Sequence, residues 1–145
     1  MRIETLRPAT AARLVVITTD TLLRSAAIAL SNPRIGLLVV CDERQRATGV
    51  VSKSDILRHL SDVGVAETQV AALMSRNIVS CGPEDDLYAI WQKMAAMSLQ
   101  NLPVLDVDSK PLGVLDIRDA LKILLEQEEY QERLLTNYVA GIGYQ

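Results

Sequence analysis

The sequence predicts an α/β (α+β) fold made from two copies of one β-α-β-β-α unit, and three observations carry that expectation. First, displaced by 64 positions, residues 13–60 lie on residues 77–124 without a gap. The identities fall on Val15/Val79, Leu23/Leu87, Leu38/Leu102, Val40/Val104, Asp42/Asp106, Gly49/Gly113, Val50/Val114, Asp55/Asp119, Leu57/Leu121 and Leu60/Leu124. These are apolar positions and the Gly and Asp that punctuate them, which is how a duplicated structural unit reads. Second, short branched apolar runs alternate with apolar stripes at spacings of three and four, the marks of strand and amphipathic helix. Third, GVVSKSDILRHL, residues 49–60, recurs as GVLDIRDALKIL, residues 113–124.

In the first copy a strand is expected over 14–17 and a helix over 22–30. A buried strand follows over 36–41, then a polar turn at 42–46 and a returning strand at 48–51. The second copy opens with an extended run at 77–81. Pro83 is expected at the first helical position, with Glu84, Asp85 and Asp86 at the positive end of the dipole. Leu87, Ile90, Trp91, Met94 and Met97 make that helix's apolar stripe. Strands are expected at 102–106 and 112–115, joined by a turn at 107–111. The last helix runs from about Arg118 to Tyr138, and the glycines at 141 and 143 argue against its continuing.

Composition narrows the function. The 145 residues are 49% hydrophobic and 23% charged, enough for a core without Phe, and the net charge of −3 argues against a broad nucleic-acid or anionic-membrane surface. Cys41 and Cys81 lie in apolar strand-like segments without metal-ligand spacing, so both read as buried, reduced thiols. The N-terminus lacks a signal-like apolar region and no stretch is long enough to span a membrane, so a soluble cytoplasmic chain is expected.

The paired units, the Leu102-Pro-Val-Leu-Asp106 stretch and the closing Gly-apolar-apolar-polar-x-x-Asp motif resemble the CBS domain, and two in tandem resemble a CBS pair, or Bateman module. On this likeness residues 1–60 form the first repeat, 61–72 a linker, 73–126 the second repeat and 127–145 a helix extension and tail. Nothing is left for a catalytic domain, so a stand-alone regulatory pair is expected. The resemblance implies repeats related by a pseudo-twofold axis, with clefts between them for adenosine-containing ligands: AMP, ADP, ATP or S-adenosylmethionine. No cofactor is required. It also implies a regulated protein partner and a homodimer formed through the helices, for which Trp91, Met94 and Met97, read either as core or as interface, are candidates, with Leu124, Leu134 and Leu135 extending the contact.

Carried over residue by residue, the first cleft uses Ser52, Lys53 and Asp55 against Asn77, Ile78, Val79, Asn101 and Leu102, with Arg118 to meet a phosphate. The second uses Asp116 and Asp119 with Leu14, Val15, Leu37 and Leu38. Asp116 stands where the family carries Ser or Thr. An anion there would repel phosphate by about 4 kcal/mol at 4 Å and an effective dielectric of 20, so the first cleft is the expected nucleotide site and the second is expected to be empty or suited to something uncharged or cationic. Gln100-Asn101 replaces the cationic residues found before Leu-Pro-Val in di- and triphosphate binders, which favours a nucleoside or monophosphate.

Plainer roles stand beside these. Asp55 and Asp119 can be helix caps and nothing more, Ser52 a turn hydroxyl, and Lys53 and Arg118 solvated charges. His59 has no partner at a chemically useful spacing. An enzyme built on Asp116 and Asp119 would lack a nucleophile–base pair, a metal cluster and a phosphate loop. A ligand-free dimerising scaffold acting through the C-terminal helix is the main competing function.

Overall fold

The computed structural model describes residues 1–62 and 67–143. Its first half contains β1 (Val16–Thr18), α2 (Leu23–Leu30), β2 (Leu37–Cys41), β3 (Ala47–Ser52) and α3 (Lys53–Asp62). The second contains α4 (Leu87–Ala96), β4 (Asn101–Leu105), β5 (Pro111–Asp116) and α5 (Ile117–Gly143). A 3₁₀ turn, Ile3–Leu6, and α1 (Arg7–Ala12) precede both. β1 pairs parallel with β2 and β2 antiparallel with β3, while β4 and β5 form an antiparallel pair.

The duplication is visible in the register. Leu37 pairs with Ser52, Leu38 with Val51, and Val40 with Gly49; Asn101 pairs with Asp116, Leu102 with Leu115, and Val104 with Gly113. The register slips at the same place in both hairpins, between Val40 and Cys41 and between Val104 and Leu105. The turns match as well. Asp42 accepts from the backbone N–H of Arg44 and Arg46, and Asp106 from those of Asp108 and Lys110. Gln45 and Ser109 take equivalent left-handed φ values of 62° and 64°. The paired aspartates are therefore turn builders, whose side chains mimic a backbone turn.

Alternation along β2 divides the first half's core. Leu38 and Val40 face α2 and α3 in a cluster with Leu23, Ala26, Leu30, Val51 and Ile56. Leu37, Val39 and Cys41 face the other half and meet Val114 of β5. The matching cluster in the second half joins Leu87, Met94, Leu102, Val104, Leu115 and Ala120. Cys41 and Cys81 are buried free thiols, as expected, and burial pushes the Cys81 thiol up to about 12.

Each core is completed by the segment that leads into the other half. Val70 and Met74 lie in the first cluster, Ile3 and Leu6 in the second. The N–H of Leu23 donates to the Thr68 carbonyl, and that of Leu87 to the Met1 carbonyl. The sequence match starts too late to show this exchange, because Leu6/Val70 and Thr10/Met74 are not identities. Both motif glycines serve the exchange. A Cβ on Gly113 would lie 2.7 Å from the backbone carbonyl carbon of Thr10, and one on Gly49 would lie 2.7 Å from the flexible Met74 sulfur. Gly113→Ala is therefore expected to cost about 1–3 kcal/mol or more by overpacking, and Gly49→Ala less, since a thioether can move. Urea melts of the two variants give the order.

Three expectations are corrected. Residues 77–81 form only an isolated bridge, Cys81 to Val104, in place of a strand. α4 begins at Leu87, because Asp86 caps it by accepting from Ala89 N–H while Asp85 accepts from Gly82 N–H. That holds Pro83 in a turn, whose carbonyl takes the Glu4 N–H. α5 continues to Gly143. Extending an existing helix needs no new nucleus, so glycines near its end are carried at about 1 kcal/mol each. Among the described residues no helix is long and apolar enough to cross a membrane.

Candidate functional site

The starts of α3 and α5 bring the two motif copies to a common region between the halves. At α3 the motif closes a reciprocal cap. Ser52 N–H donates to Asp55 Oδ2 at 2.9 Å, and Asp55 N–H donates to Ser52 Oγ at 3.3 Å. Asp55 Oδ1 lies 3.6 Å from the exposed Arg58 guanidinium, so most of its acceptor capacity stays open. The cap thus explains why the residues are fixed, and it leaves a carboxylate edge to offer a ligand.

That edge lines a cavity of about 790 Å³ with walls from both halves. Ser52, Lys53 and Asp55 lie on one side, and Asn77, Val79, Asn101, Leu102 and Arg118 on the other. Eight of the nine residues expected in the first cleft are brought together here; Ile78 is not on the wall. Gly36, Ser75 and Ser98 also line the cavity, and no motif marked them. Asn101 packs against Gly36, and its side-chain Oδ1 is buried without a hydrogen-bond partner among the described residues.

The six residues expected in a second cleft are distributed otherwise. Leu37 and Asp116 lie on the first cavity's wall. Leu38 is fully buried in the first core, because strand alternation turns it away from its neighbour Leu37. Val15 packs on that core, and Leu14 on the cluster between the halves. Asp119 is taken by Arg13, whose Nε and Nη2 donate to its two oxygens at 2.7 and 3.1 Å. Arg13 Nη1 also donates to the Arg34 carbonyl at 2.7 Å and lies 3.4 Å from Asp116 Oδ2. The cation that would satisfy this acidic pair is built into the chain, one residue before the strand expected to line the cleft.

Asp116 does not act as the free anion expected from sequence. Its side chain is 3% exposed. Arg118 donates to it from the backbone N–H at 2.8 Å, from Nε at 3.0 Å and from Nη2 at 2.7 Å. Burial pushes the Asp116 carboxyl up, but the bonds from Arg118 and the charges of Arg13 and Arg118 outweigh it and hold it below the usual carboxylate range. A carboxylate paired in this way presents little net repulsion to a phosphate.

One of the candidate dimer contacts takes its alternative place in the core. Met94 is wholly buried in its own core and so cannot reach a second chain. Trp91 is partly covered and stacks on Tyr88 with ring centroids 6.0 Å apart. Leu124 is also partly covered, whereas Met97, Leu134 and Leu135 are exposed. Tyr144, which the sequence offers with Tyr138 as a residue to dock the tail against the body or simply to fray, lies outside the described residues.

The family model described as CBS domain matches residues 9–62 and again 70–126. An uncharacterized 17.7 kDa protein of Acidianus ambivalens is 22% identical over 131 residues, which is 90% of this chain and 79% of that one. Arabinose 5-phosphate isomerase GutQ of Salmonella typhi is 27% identical over 94 residues, covering 65% of this chain and 29% of the isomerase. The chain therefore spans less than a third of the isomerase. The crystal structure of the CBS domain pair of protein MJ0100, in complex with 5′-methylthioadenosine and S-adenosyl-L-methionine, superposes with a TM-score of 0.76 at 16% identity. That likeness covers 88% of this chain and 98% of the other, and it bears on the fold alone.

Proposed function

The chain belongs to the CBS domain family, and from that premise we propose that it is a non-catalytic regulatory module binding an adenosine-containing ligand, AMP-like in charge, between its halves. The carrying observation is the composition of the cavity wall. Asp55 offers acceptors to a ribose diol, Arg118 and Lys53 offer cations to one phosphate, and Val79 and Leu37 offer apolar surface to a purine. Its volume, about 790 Å³, suits a ligand of nucleotide size. The MJ0100 pair carries two adenosine compounds, which supports the ligand class here. With two cations and no cationic residue just before Leu102, one phosphate is better matched than three. Binding would act by favouring one arrangement of the interlocked halves, and hence one state of a partner or an oligomer.

Titration calorimetry of wild type and Asp55→Asn against AMP tests the reading. Asparagine can still cap α3, so the fold should persist. Loss of charge-assisted bonds worth about 1.5–3 kcal/mol should weaken AMP about ten- to a hundredfold. Equal affinity in the two proteins would remove Asp55 from the site.

A second reading has its own observation. α5 exposes Leu121, Leu125, Tyr130, Leu134, Leu135, Tyr138 and Val139, a surface suited to assembly through this helix without any ligand. If assembly rests there, deleting residues 127–145 turns a dimer into a monomer in sedimentation while AMP binding is kept.

A further inference from the structure

Asp116 lies between the two half-sites, and its bonds have a direction. A guanidinium has two donor edges. Arg118 gives Asp116 the edge formed by Nε and Nη2, in two roughly parallel bonds of 3.0 and 2.7 Å. Its other edge, Nη1 with the second Nη2 hydrogen, has no partner among the described residues and can make a bidentate pair with another anion. The Arg118 side chain is 68% exposed and lines the cavity, whereas its anchor is 3% exposed. Behind the anchor the charges alternate: Asp119, Arg13, Asp116, Arg118. The series begins in the closed second half-site and ends in a cation at the first cavity.

We infer that Asp116 is the positioning residue of the first cleft: it holds Arg118 by one edge so that the other edge receives the ligand's phosphate. This rests on the adenosine reading above and reverses the role that charge alone suggests for Asp116. A serine at this position could not grip a guanidinium edge in two bonds. Without the grip, a long side chain as exposed as Arg118 would have to surrender its rotamer freedom when the phosphate arrives.

The test compares AMP with adenosine, which differ by the phosphate, in titrations of wild type, Asp116→Asn, Arg118→Gln and the double variant. Arg118→Gln should weaken AMP about tenfold or more and leave adenosine within about twofold, since a charge-assisted bond is lost from the phosphate alone. Asp116→Asn should lower the same AMP-to-adenosine ratio severalfold, and in the double variant it should add nothing to the loss from Arg118→Gln. A merely structural role would weaken both ligands alike. Should Asp116→Asn not fold, the Arg118 Nε–H resonance of the wild-type protein serves, assigned by its loss in Arg118→Gln. It should exchange slowly with and without AMP; exchange as fast as that of the exposed Arg58 overturns the positioning role. Wild type binding both ligands with the ratio unchanged or raised in Asp116→Asn overturns the positioning role alone. Wild type binding neither overturns the adenosine reading with it.

Discussion

Asp116→Ala is expected to lower folding stability by about 3 kcal/mol, the lower end of the range for removing one partner of a buried ion pair. Arg13 then keeps Asp119 but loses its second carboxylate, and Arg118 loses all three bonds it makes to Asp116. The lower end applies because Arg118 is largely exposed and can turn to water. Urea unfolding should show an earlier midpoint at unchanged slope. The pH dependence has a definite sign. The folded Asp116 carboxyl is held below its ordinary value, which is about 3.9 in an unfolded chain. Its contribution is therefore complete above about pH 4 and is lost as pH falls through the lowered folded value. The stability gap between wild type and variant should be flat from neutrality to about pH 4 and narrow below it. A gap that stays constant into strong acid would contradict the pairing.

Leu38→Ala carries the second large effect, about 2–5 kcal/mol, because the residue is fully buried among Leu23, Ala26, Leu30 and Val51 and its loss leaves a cavity. The same variant separates core from site. Measured on the folded fraction, its AMP affinity should equal that of wild type, since Leu38 is not among the described residues lining the cavity between the halves. Truncating its neighbour, Leu37→Ala, should cost less stability and weaken the ligand, because Leu37 lines the cavity. A Leu38→Ala protein that is fully stable but deficient in binding would invert the assignment of the two strand faces.

The duplication was legible because identical residues do identical work. Asp42 and Asp106 build the same turn, and Gly49 and Gly113 leave the same gap for an incoming segment. The exchange of lead-in segments was not, because Thr10 and Met74 fill equivalent positions with unlike side chains. Most of the first cleft followed from the motif, since a helix cap and a binding edge need the same Ser52 and Asp55 geometry. The six residues assigned to the second cleft are distributed otherwise for two reasons. Leu37 faces the cavity while its neighbour Leu38 turns into the first core, because successive residues of β2 point to opposite faces. A charge read alone also says nothing of its partner. The sequence places Arg13 and Arg118 near Asp116 only once the fold is known, and those two arginines turn an apparent repulsive anion into an anchor.

The central claim is a single adenosine site between the halves, with the second half-site closed by Arg13 on Asp119. Calorimetric titration of AMP into the purified wild-type chain tests it most directly. One molecule of AMP per chain is expected, bound more tightly than ATP. Two molecules per chain, or no heat up to millimolar AMP, would contradict it.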